Sequence, residues 1–223
     1  AIEGTPNLPS AYSMLNGYIV GPGVDLSDID LSNFDLSGVN LDGADLTGTN
    51  LSGVSSGSIA GMPLLPSSYN LVNGYIVGPN VNLQGADLTG ADLTGINLNG
   101  VISGSIQGAP TLPPFHSMLN GYIVGPGVDL SGMDLSDFDL SGVDLTTSDL
   151  ISTNFTRADL SGTIFVDANL TGADFYLAIL HRTILTSADL TDADLSRADL
   201  SGLVSGAIEG TPNLPSAYSM LNG

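Results

Sequence analysis

Apolar and polar positions recur along this chain with a period of five. From Val128 to Leu200 a leucine or phenylalanine stands at every fifth residue, from Leu130, Leu135 and Leu140 through Phe155, Phe165 and Phe175 to Leu200. A helix repeats at 3.6 residues and a strand at 2, so neither continues such a pattern. It predicts short straight segments joined by corners, with the central Leu or Phe and the residue two before it pointing inward. Ala158, Ala168, Ala173, Ala188, Ala193 and Ala198 fit that second slot, whereas Phe34, Met133 and Phe138 are large for it and demand local room. Segments wound in this way stack about 4.8 Å apart, each coil hydrogen-bonded to the next. Their leucines then form ladders, and neighbour-on-neighbour stacking holds the body together.

The pentads fall into blocks at 24–61, 81–108 and 128–210, separated by connectors at 5–23, 62–80 and 109–127, with 211–223 beginning another. Each connector carries an Asn-Gly and a Gly-Pro pair around Tyr-Ile-Val, as in Asn73-Gly74-Tyr75-Ile76-Val77-Gly78-Pro79. Such pairs turn corners, and Tyr-Ile-Val is β-prone. Gly61 and Leu83 lie 22 residues apart, as do Gly108 and Leu130. A twenty-residue coil with two extra residues would account for that spacing. Each connector is therefore expected to be one irregular coil, with a hairpin standing off the shaft as the alternative.

The regular pentads read A(D/N)LXX, as in Ala158-Asp159-Leu160, Ala168-Asn169-Leu170 and Ala188-Asp189-Leu190. On these residues the chain resembles the pentapeptide-repeat family over nearly all its length. The resemblance implies an all-β fold, a right-handed quadrilateral β-helix with four pentads to a coil. Counted on that basis, a single continuous solenoid of about eleven coils is expected, three of them irregular 22-residue coils. Long proteins of this type are mostly bacterial, cyanobacterial especially. Some relatives look like duplex DNA and occupy the DNA site of a type II topoisomerase, gyrase.

Charge sharpens the reading. The chain has 23 acidic residues, no lysine and three arginines, Arg157, Arg182 and Arg197, for a net charge of −20. Most of the acids directly precede a central Leu or Phe. Spread over about 53 Å of stacked coils, that charge amounts to one per ~2.6 Å, against one per ~1.7 Å in duplex DNA. Nucleic acid is excluded as a ligand on this ground, while cations and basic proteins remain suitable. With no cysteine there are no disulfides and no thiol chemistry. No apolar run reaches the ~18 residues of a membrane span. Ala1–Gly17 recurs letter for letter as Ala207–Gly223, 206 residues later. Counting four sides per connector, that offset is ten full coils and returns to the same face. Together with the missing initiator methionine, it leads to the expectation that the chain is a window on something longer.

Candidate sites follow from the columns that a twenty-residue coil creates. Asp129, Asp149 and Asp189 share one column with Asn169; Asp134, Asp174 and Asp194 share another with Asn154. Closely spaced carboxylates are a weak candidate for Ca²⁺, a hard ion that prefers oxygen; the favoured reading is that they cap corner amides. No other cofactor is expected. Ile164, Ile179 and Ile184 stand where the repeat otherwise places Asp or Asn. Ile164, Ile184 and Val204 are spaced by twenty, and Ile102 joins them if each connector counts as four sides. With Val166, Tyr176 and Leu177 nearby, an outward apolar strip is expected as a lateral contact. Arg157 and Arg197 share a column above Asp137. His116 and His181 are isolated and read as structural. No nucleophile stands beside a base and no phosphate-cradling loop appears, so an enzyme is not expected. The resulting expectation is a structural protein, a rigid acidic rod that continues end to end and associates sideways into an extracellular or cell-surface filament. The alternative is a topoisomerase-binding DNA mimic, which would be cytoplasmic.

Overall fold

The computed structural model describes residues 7–220. Residues 1–6 and 221–223, which hold the outer parts of the two verbatim segments, lie outside the described residues. The chain divides into two compact units, one of residues 7–114 with 120–122 and the other of 115–119 with 123–220.

The second unit is the more regular. Parallel β-bridges join Asp129 to Asp149, Asp149 to Asn169 and Asn169 to Asp189, and the neighbouring columns repeat the same twenty-residue step. Each bridge is a two-way ladder: the Leu130 N–H donates to Asp149 O at 2.9 Å and the Asp149 N–H to Val128 O at 2.9 Å. Four pentads therefore make one coil, and Leu130, Leu150 and Leu170 lie one above another, fully buried. Corners are β-turns closed onto the central residue, as where the Ala158 N–H donates to Phe155 O at 3.0 Å. The third residue of nearly every such turn takes a positive φ, the type II pattern, Arg197 being an exception. Gly fills many of these corners, but Arg157 (φ 61°) and Leu177 (φ 59°) accept the same conformation without glycine's freedom.

Inside the second unit, three phenylalanines pack together across successive coils of the tube. Phe155 and Phe175 stack one coil apart with centroids 5.1 Å apart and rings 13° from parallel. Phe165 projects from the opposite side and meets them edge-on, at 5.9 Å and 6.4 Å. Both arrangements suit the ring quadrupole. The small inward slot holds alanine or, at Thr153, Thr163 and Thr183, a buried hydroxyl. Each of these donates to a carbonyl in the coil before: Thr153 Oγ1 to Leu130 O (2.9 Å), Thr163 Oγ1 to Leu140 O (2.8 Å), Thr183 Oγ1 to Leu160 O (2.7 Å). The Leu140 carbonyl also accepts the turn N–H of Val143 at 3.1 Å, so Thr163→Val strips one of its two bonds and orphans nothing. We expect a loss of about 1 kcal/mol in a denaturant titration, the net worth of one such bond.

The first unit repeats this ladder, with Asp25 bridged to Asp45, Asp30 to Asn50 and Asn40 to Ala60. Its connectors differ from the expected irregular coil. Three-residue strands β1 (Ser13–Leu15) and β2 (Tyr18–Val20), and likewise β3 (Asn70–Val72) and β4 (Tyr75–Val77), form antiparallel hairpins. β5 (Ser117–Leu119) and β6 (Tyr122–Val124) form a third. Asn73 (φ 50°) and Gly74 (φ 79°) are both left-handed, as a two-residue type I′ turn requires. Nor does the β3–β4 hairpin stand off. Ile76 and Val77 are fully buried, the Ile59 N–H donates to Gly74 O at 3.0 Å, and the Asp87 N–H donates to the Tyr75 hydroxyl oxygen at 3.0 Å. The hairpin is gripped between the segments around Ile59 and Asp87.

The hairpin also changes the count of sides. Ala60 lies over Asn40, Leu64 over Asp45 and Asn82 over Ser55. The path from Ala60 to Asn82 thus covers three sides rather than a full coil and two residues. The premise of four sides per connector fails here, and with it the basis for a ten-coil return and for Ile102's place on the Ile164 face. Phe34, Met133 and Phe138 find their room by staying half-exposed, and Phe34 packs on Tyr18 of β2 with centroids 6.1 Å apart.

Candidate functional site

Two kinds of surface column emerge from the stacked coils. The acidic ones are built by the corner turns themselves. In nearly every pentad the Asp or Asn Oδ1 accepts the N–H of the residue two further on, as at Asp134–Ser136 (3.1 Å), Asp139–Ser141 (3.0 Å) and Asp189–Thr191 (2.9 Å). This Asx turn is why the repeat selects Asp or Asn before the central leucine. Hydroxyl and then backbone bonds from Ser136, Ser141, Thr191 and Ser196 lower the pKa of Asp134, Asp139, Asp189 and Asp194 below the ordinary 3.8. Asp25, Asp35, Asp87 and Asp92 are lowered in the same way in the first unit.

Asn interrupts the acidic columns. Asn154 Nδ2 donates to Asp134 Oδ1 at 2.9 Å one coil away, and Asn213 Nδ2 to Asp194 Oδ1 at 3.0 Å. Of the Ca²⁺ candidates, Asn169 separates Asp149 from Asp189 and Asn154 separates Asp134 from Asp174, while Asp129 and Asp149, and Asp174 and Asp194, are direct neighbours along their columns. Among the described residues no three acidic, His or Cys groups converge as a metal cluster would.

Because these carboxylates bind protons less readily folded than unfolded, stability should be flat from pH 7 to 5. It should then decline as the pH drops below 3.8 through the lowered native values. Thermal melts by circular dichroism across that range check it; a melting point that rises on acidification would refute the sign.

The second kind of column is apolar and lies wholly in the second unit. Bridges join Ile164 to Ile184 and Ile184 to Val204, so these three stack. Ile179 belongs to the adjoining side, in a column with Asp139, Asp159 and Asp199. Tyr176 and Leu177 form the corner before it, and Val166 the half-buried corner after Ile164. The expected strip therefore spans two adjoining sides. Tyr176, Leu177, Ile179 and Val204 are 40%, 44%, 42% and 49% exposed, large fractions for such side chains. Ile102 lies in the first unit, above Asn82, outside this grouping.

All three arginines adjoin this surface. Arg157 is one coil below Leu177 and grips Asp137 in a fork, its Nε donating at 2.6 Å and its Nη2 to the other oxygen. Arg182 follows Ile179 at the next corner, and Arg197 is one coil above Leu177. His181 shares a 3.1 Å hydrogen bond with Ser201 Oγ. The connector aromatics Tyr12, Tyr69 and His116 pack flat on Gly21, Gly78 and Gly125, where a Cβ would collide with the ring. Sequence reasoning passed over the exposed apolar Met62, Leu64 and Phe115. A Pro beside each of them in the connectors is the signal that could have flagged backbone held away from the core.

The parallel ladders, the five-residue segments and the buried leucine columns together define a β-helix of the pentad-per-side class. A family model for pentapeptide repeats matches eight copies, over residues 23–55, 79–102, 127–162 and 163–202. The chain belongs to the pentapeptide repeat family, whose members are in general structural or binding proteins rather than enzymes.

Among solved structures, a pentapeptide repeat protein from the Arabidopsis thaliana thylakoid lumen is 39% identical over 37% of this chain, TM-score 0.36. That match spans 58% of the plant protein's length. A protein involved in heterocyst differentiation regulation in the cyanobacterium Nostoc is 22% identical, covering 89% of this chain and 92% of its own, TM-score 0.33. A plasmid-mediated fluoroquinolone resistance protein is 18% identical, covering 83% of this chain and 85% of its own, TM-score 0.33. No curated protein matches by sequence. Among the described residues no helix is long and apolar enough to cross a membrane.

Proposed function

We propose that this is a structural protein, a right-handed β-solenoid whose coils associate side by side, and end to end, into an extracellular or cell-surface filament or matrix. The observation that carries the reading is the exposed apolar surface around Ile179, Ile184 and Val204 in a wall whose other columns are Asp and Asn. Contiguous exposed apolar surface marks association. The pattern itself supplies the control, since Asp is the ordinary residue at these positions and Asp144 precedes Ile164 in its column. Ile179→Asp/Ile184→Asp should keep stability within ~0.5 kcal/mol, as surface changes do, while abolishing the assembly that sedimentation velocity detects at rising concentration. A wild-type protein that stays monomeric throughout sinks the reading.

A second reading rests on the acidic columns, whose exposed carboxylates present rows of negative charge that support mimicry of a phosphate backbone. The partner would then be a type II topoisomerase and the location cytoplasmic. Inhibition of gyrase supercoiling by the purified protein would favour this reading, and its absence would dismiss it.

A further inference from the structure

The connectors are variants of one short sequence, and their differences separate what the fold needs from what it does not. Leu64, Thr111 and Asn213 hold the same place in successive connectors, two residues after Met62, Ala109 and Thr211. Each does the same backbone work. Their carbonyls accept the N–H groups of Leu46, Leu93 and Leu195, and their own N–H groups donate to Ala44, Ala91 and Ala193 O, all at 2.8 Å. The ladder leaves the side chain unspecified, and at Leu64 it is apolar. Met62 and Leu64 are 82% and 59% exposed. With Leu65, Tyr69 and Leu71 they line a cleft of about 440 Å³ whose walls carry no charged residue. Asp42 and Asp45, in the coil below, keep their carboxylates on the Met62 N–H (3.2 Å) and on the Thr47 N–H and hydroxyl (2.9 and 2.7 Å).

A second departure is convex. Pro113-Pro114-Phe115-His116 stands where the other connectors have Pro9-Ser10-Ala11-Tyr12, Pro66-Ser67-Ser68-Tyr69 and Pro215-Ser216-Ala217-Tyr218. Of Ala11, Ser68, Phe115 and Ala217, Phe115 takes a left-handed φ, 67°, and a bulky residue there is an outlier. Backbone strain of that kind collects where side chains are presented to ligands. The ring is 78% exposed, and no other described large apolar side chain outside the cleft passes 49%.

We propose, on the self-association reading above, that Phe115 of one copy inserts into the Met62–Leu64 cleft of a second copy of this chain. Shape selects the pair: one departure projects, the other is hollow, and both are apolar where the repeat asks for neither. Charge does not oppose the match, because the turn at 112–117 and the cleft walls hold no carboxylate in a chain of net charge −20. Asp144, beside Phe115, is turned onto the Thr146 N–H at 3.0 Å. An aromatic ring buries roughly 150–250 Å², against the ~1,200 Å² of a stable interface. The ring therefore anchors an association that also needs the surface around Ile179, Ile184 and Val204. Aromatic anchors seated in pockets carry most of the binding energy of such contacts. Knob and cleft are different surfaces, so the contact is heterologous and each copy keeps one of the two free.

The test uses two variants of the full chain. Phe115→Gly deletes the ring and supplies the residue that adopts a left-handed φ freely. Met62→Thr/Leu64→Asn installs the pair that stands at Thr211 and Asn213. Phe115→Gly should melt no lower than wild type by circular dichroism; a lower melting point would show the ring packed on its own unit and overturn the proposal. By sedimentation velocity, each variant alone should associate about thirtyfold more weakly than wild type, the size of a hot-spot loss. Mixed at equal concentration, the two should recover pairing that neither shows alone, since each retains the half that the other lacks. A mixture that gains nothing overturns the match of knob to cleft. So do variants that assemble as wild type does while Ile179→Asp/Ile184→Asp fails to, and the parent reading then stands. A wild type that never assembles removes both.

Discussion

Phe165→Ala should destabilise the second unit by about 3–5 kcal/mol, the usual cost of emptying a buried aromatic site. The ring is fully buried and meets Phe155 and Phe175 edge-on at 5.9 Å and 6.4 Å, so its removal also unpins the stacked pair. In a solenoid each coil is held by its neighbours alone, and a weakened coil can split the unfolding transition in two. Phe165→Leu provides the contrast. The same column carries Leu145 below and Leu185 above, so leucine fits the site and should cost below about 1.5 kcal/mol. Urea titrations of both variants, followed by circular dichroism, separate the outcomes. An alanine variant within ~1 kcal/mol of wild type would mean that the three rings do not form one packed cluster.

The inward positions were legible because chemistry and geometry have the same period there. A leucine every five residues can serve only one inward point per side, and Leu130, Leu150 and Leu170 stack as the spacing requires. The aspartates were equally readable, since an Asx turn asks for a short side-chain acceptor before each corner. The connectors were misread through a numerical coincidence. Twenty-two residues equal one coil and two residues; they equally equal three sides shortened by one residue and an eight-residue hairpin. Asn73-Gly74 between Asn70-Leu71-Val72 and Tyr75-Ile76-Val77 carried the local signature of the second solution, but periodicity favoured the first. Whether the hairpin would dock or stand off depended on contacts with Ile59 and Asp87, which no local pattern encodes. The same limit applies at the candidate site. The break in the Asp column at Ile164, Ile179 and Ile184 is visible in the sequence. That Arg157 finds Asp137 while Arg182 and Arg197 find no carboxylate among the described residues depends on side-chain reach.

Gly61→Ala should be the most damaging of the glycine substitutions that leave the pentads untouched. Gly61 sits where the regular twenty-residue step shortens to nineteen, between Ala60 over Asn40 and Leu64 over Asp45. The lost residue draws the backbone down onto the coil beneath, and a Cβ at Gly61 would fall inside van der Waals contact with Asp42 Cα and N. Its φ of 85° is left-handed as well. The conformational part costs about 1–2 kcal/mol for an L side chain. Overpacking against backbone, which cannot rotate away, adds about 1–3 kcal/mol. Gly43→Ala isolates the first part, because Gly43 has a φ of 66° but open space where its Cβ would go. Thermal and urea melts should therefore rank Gly61→Ala well below Gly43→Ala, and equal losses would disprove the close approach. Gly108 meets Thr89 in the same way, and Thr111 over Asp92 repeats the nineteen-residue step. Gly210 over Thr191 and Asn213 over Asp194 repeat it again. This glycine is thus the device by which a regular coil is shortened at the entry to a connector, and the hairpin seated at 70–77 depends on that entry being made.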